Sequence, residues 1–118
     1  MKKYIALLAL FGLLAVNLIS QTSPHSVTLT WVASPSPGVT SYNIKRSTTT
    51  GTEVTIGSVP ANVLTYVDPF QLTDEGKKFF YVGTAIGPGG ESLPSNEVSA
   101  TIPFSVPGAP SGMAVQVK

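Results

Sequence analysis

One histidine, six carboxylates and no cysteine are what this chain offers for chemistry. A serine hydrolase needs a hydroxyl within hydrogen-bond reach of a histidine base. His25 follows the polar stretch Ser20-Gln21-Thr22-Ser23-Pro24 and reads as a solvent-exposed loop residue. Glycoside hydrolysis needs two carboxylates facing each other across a cleft. Glu53, Asp68, Asp74, Glu75, Glu91 and Glu97 are instead scattered over turns and strand ends. Asp68 reads as the cap of the turn after its strand, and Asp74-Glu75-Gly76 has turn composition. A calcium loop would gather six or more oxygen ligands, and no such loop is recognisable. Gly87-Pro88-Gly89-Gly90 lacks the lysine and helix of a phosphate loop. Without cysteine, disulfides and thiolate metal sites are excluded. The sequence therefore points to no enzyme, with no catalytic, cofactor or metal residues.

The remaining residues must be explained by folding and association. The length of 118 residues suits one domain. Met1-Lys2-Lys3 precedes the uncharged stretch Tyr4–Val16, the pattern of an export signal. That stretch is shorter than the roughly 20 apolar residues of a membrane span. Residues 1–20 are expected to be a signal peptide ending at Ser20, giving a secreted, extracellular product, with periplasmic or cell-surface placement as variants. The alternative is a retained N-terminal hydrophobic segment, the one route to a membrane. In that case Leu14–Ile19 could itself be a strand. Removing Lys2 and Lys3 from 7 basic and 6 acidic residues leaves a net charge of −1. No basic face marks a nucleic-acid partner, and the pairs Lys45-Arg46 and Lys77-Lys78 read as solvated surface.

Beyond residue 20 the pattern is strand after strand. Ser26–Trp31 alternates, with Val27, Leu29 and Trp31 on one face. Thr40–Arg46 follows, with Tyr42 and Ile44 inward, then Glu53–Ile56, ended by Gly57. Val63–Val67 turns Leu64 and Tyr66 inward. Lys78–Ala85 is the most aromatic run, and Asn96–Ile102 returns beyond the glycine turn. Short strands separated by Gly/Pro/Ser turns predict an all-β sandwich. The expected core is Val27, Leu29, Trp31, Tyr42, Ile44, Leu64, Tyr66, Leu72, Phe79, Tyr81, Ala85 and Val98. Phe70 and Phe80 fit the inward set less well, and either of them, if exposed, could belong to an interface.

These residues together resemble a fibronectin type III domain of the bacterial secreted type. The resemblance runs from Ser26 to Pro103, roughly two thirds of the chain. It rests on Trp31 on the family's second strand and Tyr42 on its third. It rests also on Leu72 in the turn before the sixth strand, on Phe79, Tyr81 and Ala85 along that strand, and on Ser95-Asn96-Glu97-Val98 at the last. It implies an immunoglobulin-like β-sandwich that is structural or adhesive. Phe79 stands where the family usually has a corner tyrosine, and Gly83 where it usually has an inward valine. A glycine there weakens the strand or admits another chain.

Only five residues separate a cut after Ser20 from Ser26, too few for the family's first strand and its turn. Val106–Lys118 meanwhile looks like a linker followed by such a first strand, with Met113, Val115 and Val117 alternating with Ala114 and Gln116. The expected organisation is thus residues 1–20 as signal or hydrophobic segment, 21–103 as the domain, and 104–118 as linker plus strand. That strand could close its own sheet, or be given to a neighbour to build a homopolymer. Two other readings stand beside it. One is a carbohydrate- or protein-binding module using the Ser47–Gly51 and Gly87–Gly90 loops at one end; the other is an accessory piece of a larger secreted hydrolase.

Overall fold

The computed structural model describes residues 24–118. The export segment and the alternative strand Leu14–Ile19 lie outside the described residues. The elements are β1 (His25–Thr30), β2 (Ser41–Ser47), β3 (Val54–Pro60), β4 (Thr65–Phe70), a 3-10 turn (Leu72–Asp74), β5 (Lys78–Gly87), β6 (Gly90–Glu91) and β7 (Val98–Thr101). One sheet is β1–β4, and the other is β3–β2–β5 with β6 and β7 both beside β5. Every pairing is antiparallel.

Period-two alternation turns one face of each sheet to a shared core. Ile44, Phe70, Phe79, Tyr81 and Ile102 are buried there, with Val27, Leu29, Trp31, Ile56 and Tyr66 packed against them. Each fully buried large apolar side chain contributes about 1.5–3 kcal/mol. Trp31 meets Tyr42 edge to face at 5.8 Å, and Phe70 lies 4.6 Å from Phe79.

Several sequence expectations need correction. β4 runs on to Phe70, so Phe70 shares the inward parity of Tyr66 and is buried, not placed at an interface. Leu72, expected in the core, is 58% exposed in the turn that follows. Leu64 has inward parity but lies before the strand proper and is exposed, and Val98 faces in from an uncovered sheet edge. Gly57 does not end a strand. It sits inside β3, where a Cβ would come within 2.5 Å of Tyr66 Oη. His25 is the first residue of β1, not a loop. Arg46 is not solvated surface, because it follows Tyr42 and Ile44 in the inward register of β2. The tail does not pair with its own sheet, and residues 102–118 have no regular structure.

Candidate functional site: an open flank beside a closed one

The flank where β4 faces β3 and β2 is filled. Tyr66 lies on Gly57, and its hydroxyl donates to the Ile56 carbonyl at 3.4 Å. Below it, Asp68 is buried, not a turn cap, and takes three hydrogen bonds. Arg46 Nη1 donates to both its oxygens at 2.8 Å, and Tyr81 Oη donates at 2.6 Å. The guanidinium lies 5.3 Å from the Phe70 ring and 5.2 Å from Phe79. Burial works against the Arg46 charge, but the hydrogen bond and charge of Asp68 outweigh it and raise its pKa. Burial, then Asp68, pushes the Tyr81 phenol up as well. A buried carboxylate is tolerable only when paired and bonded in this way.

The opposite flank is open. Among the described residues β1 pairs only with β4, so its other edge carries unpaired backbone groups. Beside that edge runs a groove of about 570 Å³, lined by Leu29, Trp31, Gly83, Ala85, Leu93 and Val98, among others. Leu93, on its rim, is 88% exposed. The Trp31 indole Nε1 is buried and meets no acceptor among the described residues. The wall opposite β1 is held by Ser95, whose backbone N donates to the Gly83 carbonyl at 2.8 Å while its Oγ accepts from Gly83 N at 2.9 Å.

A third feature anchors the C-terminal linker. Ile102 is 1% exposed and bonds through its backbone to Gly76 and Lys77. The Phe104 ring covers Gly76, whose φ is +84° and whose Cβ, if present, would lie 2.6 Å from Phe104 Cζ. Ser105 donates to Glu75 Oε1 from its backbone N at 2.9 Å and from its Oγ at 2.5 Å. His25 Nε2 lies 2.9 Å from the same Glu75 oxygen and 3.3 Å from Ser105 Oγ. Both contacts fall on one ring nitrogen, whereas a serine–histidine–carboxylate relay uses the two nitrogens separately. The trio is a clasp, and it holds the Glu75 pKa below its ordinary value, through Ser105 first and His25 second. Beyond it the tail is free of the domain: Met113, Val115 and Val117 are 87%, 87% and 86% exposed.

The two candidate binding loops do not share an end. Ser47 pairs with Phe80 near the start of β5, and the Gly87–Gly90 turn closes its far end. At about 3.4 Å per residue they stand more than 20 Å apart. The first is tied down: Thr50 Oγ1 and Gly51 N donate to Glu97 at 2.5 and 3.1 Å. Among the described residues, no three His, Asp or Glu side chains converge as metal ligands, and no helix is long and apolar enough to cross a membrane.

No protein-family model matches the chain, and no curated protein matches it. Solved structures do. The chain is similar to a Fn3-like protein from Clostridium thermocellum, at 34% identity over 69% of this chain and 80% of that one, with a TM-score of 0.53. A β-1,2-glucanase from Parabacteroides distasonis is 27% identical over 73% of this chain, with a TM-score of 0.59. The chain spans about 12% of the glucanase's length. The sixth fibronectin type III domain of a human protein shares the fold at 18% identity, with a TM-score of 0.59 over 75% of this chain and 82% of that one.

Proposed function

The chain belongs to the fibronectin type III family, and on that premise we propose that it is a noncatalytic, exported structural subunit that assembles head to tail by giving its C-terminal strand to a second copy. The observation that carries the reading is one molecule holding both halves of a contact. Among the described residues, an unpaired β1 edge stands over an open apolar groove, and an exposed tail presents Met113, Val115 and Val117 at strand spacing. Main-chain pairing would supply affinity and alternate side chains specificity, as in other strand additions.

The second copy is favoured over the chain's own tail by where the tail begins. The clasp holds Ser105 beside His25, at the start of β1. Seven residues from Ser105 to Gly112 span at most about 25 Å. To run antiparallel to β1 in its own domain, the tail must climb the length of β1, about 20 Å, and then reverse. A neighbour placed beyond that pole needs no reversal. A contact of this heterologous kind does not close on itself, so it extends into a filament.

The test is the native mass of the exported protein, measured with its N-terminal residue. A long polymer that disappears on deleting residues 112–118 is the expected result. A deletion variant that still assembles overturns the reading. A second reading, a noncatalytic accessory module of a larger secreted hydrolase, is favoured by the match within the glucanase. A monomer at every concentration would favour it.

A further inference from the structure

The inner row of the larger sheet holds a symmetry that points to what the open flank receives. Ile44 on β2 pairs with Gly57 on one side and Gly83 on the other. Across the core, Leu29 on β1 pairs with Tyr66 on β4. On the closed flank the gap left by Gly57 is occupied by the Tyr66 ring. On the open flank the gap above Gly83 belongs to the groove that Leu29 also lines. A Cβ at Gly83 would meet nothing nearer than Asn43 O at 3.8 Å and Ser95 Oγ at 3.9 Å. Gly83 is not among the glycines with positive φ, so no backbone requirement explains it. By the geometry of the Gly57 side, its filler is the residue that flanks Leu29 on the edge β4 does not use.

We infer that Gly83 forms a socket for Val115 of a second copy, and that the donated strand lies antiparallel to β1 with Val115 opposite Leu29. The inference rests on the assembly reading above and adds its register. That alignment sets Val117 beside Val27 and Met113 beside Trp31, so three apolar pairs lie on the inward face of β1, two of them, at Leu29 and Trp31, over the groove. It leaves Gln116 beside Thr28 and Ala114 beside Thr30, facing solvent. A shift of one residue would turn Ala114 and Gln116 into the groove. A shift of two would set Val117 beside His25 or Met113 beside exposed Ala33, in place of a β1 residue packed against the core. Antiparallel pairing is also somewhat more stable per residue than parallel pairing. Gly83, where the fold otherwise accepts a larger side chain, is in this view the residue that reserves the flank for a partner.

The register is tested by cross-linking the full chain, which has no cysteine of its own. Thr28→Cys with Gln116→Cys places two thiols directly opposite on the solvent face, within disulfide range. Ser26→Cys with Gln116→Cys sets them about 7–8 Å apart on the diagonal. The expected result is a covalent ladder of dimers and longer species from the first pair on mild oxidation, and little from the second. A ladder from the second pair overturns the register. A disulfide inside a single chain overturns donation to a second copy. Separately, Gly83→Val should leave a folded monomer and raise the concentration needed for assembly about tenfold or more. Val115→Gly in the same chain should recover part of that loss. Assembly of Gly83→Val at the wild-type concentration removes the socket while leaving strand donation intact. A full chain that stays monomeric at every concentration overturns the assembly reading itself.

Discussion

The two flanks of the sandwich meet the same requirement, closing the space between two sheets, by different means. On the β3–β4 flank the space is filled from within: Tyr66 settles on Gly57, and Asp68 draws Arg46 and Tyr81 into a buried network. On the β1–β7 flank the residues that could close it are small or face away. Gly83 and Ala85 form the floor, and Leu93 stands in solvent. A sandwich of this size has little surplus stability, so the closed flank has to hold the domain while the other stays available. Division of labour of this kind predicts opposite responses to mutation on the two sides.

The sharpest way to break the comparison is to remove a partner from the closed flank. Arg46→Met should cost about 3–5 kcal/mol by leaving the Asp68 charge buried without its cation. Urea denaturation of a tail-deleted monomer would measure it, and a loss below about 1 kcal/mol would mean that the Arg46–Asp68 contact does not hold the closed flank. Gly57→Ala comes next, at about 1–3 kcal/mol, because the new methyl must displace the Tyr66 ring. Tyr81→Phe removes one of the three bonds to Asp68 and should cost about 1–2 kcal/mol. Leu93→Ser on the open flank should change monomer stability by less than about 0.5 kcal/mol while weakening assembly.

The smallest effect is electrostatic. The folded state holds the Glu75 pKa below its unfolded value of about 4.3. Its contribution is therefore present above that value and is lost as pH falls through the lower folded pKa. Ser105 should loosen from Glu75 only below the ordinary glutamate range, seen as a loss of Ser105 amide protection relative to its intrinsic exchange rate at the same pH.

What was legible in the sequence follows from locality. Alternation in Ser26–Trp31 and Lys78–Ala85 announces strands because the pleat repeats every two residues, whatever lies across the core. The all-β fibronectin type III sandwich could be read from those runs and the turns between them. Arg46 and Asp68 could not. A charged residue at an inward position looks like surface until its partner, 22 residues away, is known to face it. Leu72 misled for the converse reason: an apolar residue in a turn looks like core, but here the core residue at this end of β4 is Phe70, and Leu72 stands exposed in the turn after it. His25 acquired its place from Glu75 and Ser105, 50 and 80 residues further on. The groove was the least legible feature, because a cavity is made by side chains that are absent, and Gly83 and Ala85 read alike whether a neighbour covers them or not.

The clasp at the exit pole has a mechanical meaning. Tension applied through the linker does not first reach the last strand. It is received by the two hydrogen bonds of Ser105 and passed to Glu75 and to His25, the first residue of β1. β1 is antiparallel to β4 over six paired residues. A load entering at its end and directed along the strand is shared among the rungs of that ladder, and does not open them one at a time. A pull on the linker would then load β1 in shear against β4, with one buried pole residue, Ile102, as the peg behind the clasp.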